Sequence, residues 1–491
     1  MTVRTTAATV ADVRDAWFST DVAGSAATTV VCLPYAGGST LAFRGWAEGL
    51  ADVAGVRAAA PPGREQRIAE PPEFDVDDLA GAIAARIDGP YVIYGHSMGA
   101  RLAPPVIRRL AELGARLPEH LVVGGCRPPH LKLLTRISHL PDDAFLRRVI
   151  AMGGMTEDVV ADPELRRLLL GVLRSDFAMI ESLPITPPDP LPVPITALAG
   201  RDDPQAEPGE MVGWAAHTTA GFALHTIEGG HFFLHSAQDQ MLEHVANAVC
   251  PAGVPAWQQP LADDEVLVID ARLDHLPELD AVEELSATER RRAERMRAPA
   301  DGRRFAARSV LQRRVLAAHG LDVGTAEYQR GSGSKPAWPS PRGLTFNASH
   351  SDGIALIALS VDREIGIDVE RLRPMTDLEA FADGALDAGE REEFEERAGS
   401  AALEYALRIW TAKESVLKYT GDGLRIEPDV FGFAGHEPRG PWRATTDAGF
   451  ERLGAAEVRH LELPDGIGAL AVPADDAEIR LRYVRLPESC P

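Results

Sequence analysis

Cysteine, positive charge and long apolar runs are all scarce in this sequence, and each scarcity narrows what the chain can be. Its 491 residues hold four cysteines, Cys32, Cys126, Cys250 and Cys490. They lie far apart and form no C-x-x-C pair, which sets aside a disulfide framework or a thiolate zinc site and fits reduced thiols in a cytoplasmic protein. Lys and Arg number 50 against 73 Asp and Glu, for a formal net charge of −23. A nucleic-acid partner, whose phosphates call for basic side chains, is therefore not expected. No apolar run is long enough to span a bilayer, and Met1-Thr2-Val3-Arg4 leads into no apolar stretch of a secretory signal, so no membrane partner is expected either.

What is present is a soluble composition, 45% hydrophobic and 25% charged, in a chain too long for one ordinary core. Residues 1–250 alternate buried-strand and helix patterns: Thr29 to Leu33, Tyr91 to Tyr94, Leu121 to Gly125 and Ile195 to Ala199 read as strands. That alternation implies a parallel sheet covered on both faces. From about 130 to 190 the pattern turns helical, as an insertion would. Residues 251–261, with three prolines and no usable period, read as a linker. A second half, 262–491, opens on the strand Glu265 to Ile269. It carries a weak repeat: Leu285-Ser286-Ala287-Thr288-Glu289-Arg290 resembles Leu386-Asp387-Ala388-Gly389-Glu390-Arg391, and Phe305-Ala306-Ala307-Arg308 resembles Tyr405-Ala406-Leu407-Arg408 at the same offset. Two α+β lobes, about 262–360 and 361–491, follow from it.

Gly95-His96-Ser97-Met98-Gly99 stands between a strand and a helix, the pattern of the nucleophile elbow of an α/β hydrolase. Serine needs a base to take its proton, and in this fold the acid and the histidine follow it in that order. Asp203 comes after the strand ending at Ala199, and His231 after the strand Leu224 to Ile227. Asp202 is adjacent and stays open as the acid. His96 lies inside the elbow, while His130, His139, His217 and His235 read as structural. An oxyanion hole needs two backbone N–H groups. Met98, next to the nucleophile, supplies one; the other comes from Pro34-Tyr35-Ala36-Gly37-Gly38-Ser39, with Ala36 favoured and Tyr35 open.

In the second half, Glu364 to Glu370 alternates like a strand and projects Asp368 and Glu370 from one face. Two such acids repel unless a cation lies between them, and hard oxygen donors suit Mg²⁺. Glu414, in a helical run, is a candidate third ligand. Lys418 is one turn further on the same face. An arginine-rich segment from Glu289 to Arg314 breaks the acidic trend. It reads either as a solvated helix face or as a local anion site.

Cys32-Leu33-Pro34-Tyr35-Ala36-Gly37-Gly38, Pro61-Pro62-Gly63-Arg64, Gly95 to Gly99 and Ser138-His139-Leu140-Pro141-Asp142-Asp143 together resemble a type II thioesterase of nonribosomal peptide and polyketide synthesis. Ala100 stands where that family usually has glycine. The resemblance implies hydrolysis of aberrant acyl groups from the pantetheine thiol of acyl or peptidyl carrier protein domains, with residues 130–190 as a lid over the acyl chamber. Gly333-Ser334-Lys335-Pro336, Phe346 to Ser351, Asp368-Val369-Glu370 and Trp410 to Lys418 resemble a 4′-phosphopantetheinyl transferase of the surfactin type, a pseudo-dimer of two α+β lobes. That resemblance implies transfer of phosphopantetheine from coenzyme A to a carrier-protein serine. Asp368, Glu370 and Glu414 would hold Mg²⁺, Glu414 would accept the serine proton, and Lys418 would protonate or steady the leaving phosphate. Arg292, Arg304, Lys335, Ser349 and His350 would bind coenzyme A phosphates. Glu289 occupies a commonly basic position of that family, with Arg290 beside it. The expected protein both installs and repairs the phosphopantetheine arm, acting on coenzyme A and on arms mis-loaded from acyl-coenzyme A. The rival readings are a half that docks carrier protein without turnover, and a first half that is a general esterase or acyltransferase.

Overall fold

The structure, a computed structural model, describes residues 17–19, 27–156, 161–251, 253–276, 281–330, 336–338, 340, 342–433, 440–446, 451–474 and 478–487. By its internal contacts the chain divides into two units, residues 1–220 with 226–253, and residues 221–225 with 254–491.

The first unit is built on strands β1 (Thr29–Leu33), β2 (Gly55–Ala58), β3 (Tyr91–His96), β4 (His120–Gly124) and β5 (Ile195–Gly200). They run parallel in the order β2-β1-β3-β4-β5. Their near-continuous apolar sequences match strands buried on both faces, and all six residues of β3 and of β5 are buried. The helices are α1 (Val76–Arg86), α2 (Met98–Glu112), α3 (Asp142–Ala151), α4 (Pro163–Ser182) and α5 (Gln238–Val249). Met241 and Val245 of α5 join Val30, Cys32, Trp46, Tyr94 and Val122 in the main core. Helices α3 and α4 form the expected insertion and have a small core of their own from Ile137, Phe145, Leu146, Val149 and Leu173. Asp162 caps α4, accepting from the Glu164 and Leu165 N–H groups ahead of Pro163 at the first helical position. Strand β6 (Phe222–Ile227) straddles the division and leads to His231.

The second unit has two sheets. In the first, β7 (Glu265–Arg272), β8 (Leu344–Ser351) and β9 (Ile354–Val361) pair antiparallel in the order β8-β9-β7. In the second, β10 (Gly366–Arg371), β11 (Phe431–Phe433), β12 (Trp442–Thr446), β13 (Ala456–Leu463) and β14 (Gly466–Pro473) run antiparallel in the order β10-β14-β13-β12-β11. The repeat is visible as matching helix starts. Helices α6 (Ala287–Glu294) and α8 (Ala388–Glu395) each open on a capping box, Ser286 with Glu289 and Asp387 with Glu390. Each is followed by a long helix, α7 (Pro299–Ala318) and α9 (Ser400–Thr420), which buries Phe305 or Tyr405.

Two boundaries differ from expectation. The last strand, β15 (Arg480–Arg485), does not stay with the second lobe; it pairs parallel with β7 and buries Leu481 and Tyr483 there. The segment expected as a linker is partly folded onto the first lobe. Leu261 joins that lobe's core, and the Arg482 guanidinium holds the Ala256, Gln259 and Pro260 carbonyls. Its prolines end helices but leave their carbonyls free to accept. Among the described residues no helix is long and apolar enough to cross a membrane.

Candidate active sites

In the first unit Ser97 sits between β3 and α2 with φ 52° and ψ −107°, a strained conformation that lifts its side chain at the carboxyl end of the sheet. The flanking glycines are sterically required. A Cβ on Gly95 would lie 2.5 Å from the Gly99 carbonyl carbon, and one on Gly99 would lie 2.2 Å from the Leu33 carbonyl oxygen. His231 Nε2 is 3.1 Å from Ser97 Oγ, and its Nδ1 is 2.9 Å from Asp203 Oδ2. Asp203 is buried, and its other oxygen accepts from the Gln205 N–H at 2.8 Å. Asp202, the other candidate acid, turns outward: its side chain is 66% exposed and lies 3.7 Å from Arg201. The loops carrying acid and histidine are stitched by Asp202 N–H to Gly229 O at 3.0 Å and Arg201 N–H to Ile227 O at 2.8 Å.

Met98 is the first residue of α2, so its N–H has no intrahelical acceptor. Ala36 lies in a turn closed by the Gly38 N–H on the Tyr35 carbonyl at 2.8 Å. The Tyr35 ring packs edge-on against Phe232 with its hydroxyl 3.2 Å from His235 Nε2. His96 stands behind His231: Nε2 is 2.8 Å from the His231 carbonyl oxygen and Nδ1 is 2.9 Å from the Tyr94 hydroxyl. Burial, then the neighbouring His231, hold the His96 pKa well below the usual range, so it stays neutral. A neutral imidazole can use one nitrogen to donate to that carbonyl. A cavity of about 140 Å³ opens beside Ser97 and His231, walled by Met152, Phe177 and Ile180 of the insertion and by Arg101 and Cys126.

In the second unit Asp368 and Glu370 lie on β10 and Glu414 and Lys418 on α9, which packs against that strand. The two lobes are tied here by Asn347 Oδ1, which accepts from the Ile367 N–H at 2.8 Å. Lys418 Nζ is 2.6 Å from Asp368 Oδ1 and donates to Ser349 Oγ at 3.0 Å. Ser351 donates to Glu370 at 2.7 Å. Burial first, then the Asp368 charge, raise the Glu414 pKa; burial raises that of Glu370, with Asp368 adding to it. Each acid thus feels the others, yet among the described residues no three such side chains already form a metal cage. Lys418 takes the place of a cation at Asp368. The residues nonetheless fit a hard divalent ion. Asp368 Oδ2 is buried without a hydrogen-bond partner among the described residues, and the raised acids would be relieved by added positive charge.

The expected phosphate binders divide. Lys335 lies outside the described residues. Ser349 is buried and donates to Asp368 at 2.7 Å. Arg304 is already committed, bonded through two nitrogens to Asp274 at 2.8 and 2.7 Å. Arg292 rests over the Phe305 ring with Arg308 on the same ring. His350 reaches the surface, yet desolvation, then Arg308, Lys418 and Arg292, push its pKa down to about 4. Arg308 is the residue that sequence reasoning did not single out; its Nε is buried without a partner among the described residues. Its signal was its place one turn beyond Arg304.

The family model for the thioesterase domain matches residues 28–249, and that for the 4′-phosphopantetheinyl transferase superfamily matches residues 364–465. The thioesterase PikA5 of Streptomyces venezuelae is 35% identical over 46% of this chain and 82% of its own length. The linear gramicidin dehydrogenase LgrE of Brevibacillus parabrevis is 34% identical over 42% of this chain and 82% of its own. Among solved structures, the type II thioesterase BorB from the borrelidin biosynthetic cluster is 35% identical, with a TM-score of 0.43, covering 48% of this chain and 98% of that one. The chain belongs to the type II thioesterases and carries a phosphopantetheinyl transferase domain. Its thioesterase domain has the α/β hydrolase fold and its transferase domain the two-lobed α+β fold. Glu289, the acidic departure of the transferase domain, serves the fold, closing the α6 capping box and pairing with Arg313 at 2.7 Å. Arg290 beside it reaches the Leu285 carbonyl at 3.3 Å. Ala100 of the thioesterase domain is fully buried in the first turn of α2, where its methyl is accommodated.

Proposed function

We propose that the protein maintains carrier proteins for nonribosomal peptide or polyketide synthesis, loading the phosphopantetheine arm with one domain and clearing blocked arms with the other. The hydrogen-bonded chain Ser97–His231–Asp203, in a protein that also gathers Asp368, Glu370, Glu414 and Lys418, is what carries the reading.

In deacylation, Ser97 Oγ attacks the thioester carbonyl as His231 Nε2 takes its proton; Asp203 holds the ring and steadies its charge. The Met98 and Ala36 N–H groups receive the oxyanion. The pantetheine sulfur leaves with the proton from His231. Water then attacks the acyl-serine as His231 takes its proton, and His231 returns that proton to Ser97 Oγ as the acyl–oxygen bond breaks and the carboxylic acid leaves.

In loading, the carrier-protein serine attacks the β-phosphate of coenzyme A and 3′,5′-adenosine bisphosphate leaves. Glu414, with its raised pKa, is suited to take the serine proton. Lys418, already turned toward Asp368 and Ser349, would move onto the leaving phosphate. Asp368, Glu370 and Glu414 would hold Mg²⁺, which when bound neutralises pyrophosphate charge. Arg292 and Arg308 form the positive face for the remaining phosphate, with His350 beside them as an uncharged hydrogen-bonding ring.

The test is the intact mass of apo carrier protein after incubation with the whole enzyme, magnesium and acetyl-coenzyme A. An acetylated arm should appear and then lose its acetyl group. Ser97→Ala should stop at the acetylated form, and Asp368→Ala should leave the carrier apo. Deacylation that survives Ser97→Ala, or loading that survives Asp368→Ala, defeats the reading.

A further inference from the structure

The chamber beside Ser97 contains a charge that nothing in the hydrolysis requires. Arg101 follows the nucleophile by one helical turn, its N–H bonded to the Ser97 carbonyl at 3.0 Å, so the two side chains rise on the same face of α2. Arg101 lines the same cavity as Ser97 and His231, and it is only 3% exposed. Its Nη1 reaches no closer acceptor than the Pro128 carbonyl at 3.4 Å, and its Nη2 is buried with no hydrogen-bond partner among the described residues. A guanidinium cannot shed its proton to escape this situation, and a buried charge without a counterion is costly.

Neither Glu181 on the cavity wall nor Asp203 behind His231 can serve as that counterion. Both oxygens of Glu181 are occupied, one by the Ile137 and Ser138 N–H groups at 2.6 and 3.0 Å and the other by the Ser138 hydroxyl at 2.6 Å. Asp203 is bound by His231 and the Gln205 N–H. The second arginine on the wall, Arg127, already has a partner in Glu210 at 2.6 Å. Among the described residues Arg101 has no counterion, and it shares the cavity with Ser97, to which an acyl group would be attached. The space is small: about 140 Å³. A cavity of about 150 Å³ holds benzene, so roughly six non-hydrogen atoms fit.

We propose that Arg101 makes this chamber selective for short acyl groups that end in a carboxylate. The proposal rests on the thioesterase reading above and names its substrate class. A malonyl group has the right size and would present its carboxylate to the Arg101 side chain on the cavity wall; hydrolysis would release the dicarboxylic acid and the free pantetheine thiol. An uncharged group of equal size would instead cover the guanidinium and leave it unpaired, which is the stronger form of discrimination open to a binding site.

The 3-methylbutanoyl group is the uncharged isostere of malonyl, so the two make a matched pair. Carrier protein loaded with each is given to the whole enzyme and kcat/KM is measured. Malonyl should be favoured by about tenfold or more, and Arg101→Leu should lower that ratio by about tenfold to a hundredfold. Arg101→Lys, which keeps the charge but loses the fork, should recover part of the ratio. Calorimetry on Ser97→Ala with malonyl-pantetheine and 3-methylbutanoyl-pantetheine reads the same preference without turnover, and adding Arg101→Leu should erase it. Equal rates for the two groups, or a ratio that Arg101→Leu leaves unchanged, overturn the proposal while leaving the thioesterase reading intact. Preferential binding by Ser97→Ala with no hydrolysis by the wild type does the reverse. Absence of any binding preference overturns it whatever the turnover.

Discussion

Arg64 and Asp176 meet through two hydrogen bonds, at 3.0 and 2.9 Å, in a place where the carboxylate is fully buried and the guanidinium nearly so. Asp176 belongs to α4 of the insertion and also accepts from the Gly37 N–H at 2.7 Å; Arg64 donates to the Gly38 carbonyl at 2.8 Å. The pair therefore ties helix α4 of the insertion to the loop that carries Ala36. Removing one partner strands a buried charge, so Asp176→Ala should destabilise the thioesterase domain by about 3–5 kcal/mol in urea unfolding and lower its deacylation rate. The double change Arg64→Met with Asp176→Leu should restore most of the stability but not the rate, because the loop loses its anchor. Equal recovery of both would show that the pair has no part in placing the loop.

Asp203 and Asp202 offer a sharper contrast. Adjacent in sequence, they point to opposite environments, one buried on His231 and one exposed beside Arg201. Asp203→Asn should lower kcat for deacylation by about ten-thousandfold, because the amide favours the wrong imidazole tautomer. Asp202→Asn should change it by no more than about twofold, as surface changes do. Single-turnover deacylation of an acetylated carrier protein separates the two outcomes, and a large loss from Asp202→Asn would overturn the assignment.

The cluster of Arg292, Arg308 and His350 is expected to hold the 3′-phosphate of coenzyme A. Arg308→Ala should weaken coenzyme A binding by about tenfold in calorimetry and leave 3′-dephospho-coenzyme A almost unaffected. Arg304→Ala should weaken the two ligands alike and less, since Asp274 already neutralises that side chain. A larger loss at Arg304 than at Arg308 would place the phosphate elsewhere.

Much of this arrangement was legible in the sequence, and the reasons are local. The elbow was readable because its five-residue pattern is contiguous: Gly95 is demanded by Gly99 and Ala100 just beyond Ser97, although Gly99 is demanded by the distant Leu33. The repeat was readable because Ser286/Glu289 and Asp387/Glu390 are self-contained capping boxes. What sequence could not show depends on distant partners. The pairing of β15 with β7 joins residues more than two hundred positions apart. Asp176 is one acid on an amphipathic helix until Arg64 is brought to it. Lys418 was placed correctly on the Glu414 face of α9, but its contact with Asp368 requires the strand to lie beneath that helix. Arg304 is given as a phosphate ligand by the resemblance alone, and its pairing with Asp274, thirty residues away, could not be read beside it.

The raised acids of the transferase domain tie stability to pH and to metal. Glu370 and Glu414 have folded-state pKa values above their ordinary ones, chiefly through burial and with Asp368 adding its charge. A folded state that holds these protons longer than the unfolded chain is favoured below the ordinary glutamate range and loses that advantage as pH rises through the raised values. As pH rises through those values the groups gain charge that repels Asp368, and a divalent cation binding the charged forms should restore what was lost. Magnesium should therefore raise the Tm of the transferase domain near neutral pH, and raise it much less in acid buffer where protons compete. Glu414→Gln should raise the metal-free Tm at neutral pH and shrink the magnesium effect. The acid limb of the loading rate should lie above the ordinary glutamate range at low magnesium and move to lower pH as magnesium is added, because the cation favours the charged carboxylates. A Tm that is blind to magnesium at neutral pH, together with an acid limb that does not move, would mean that Lys418 alone balances these acids and that the ion binds elsewhere.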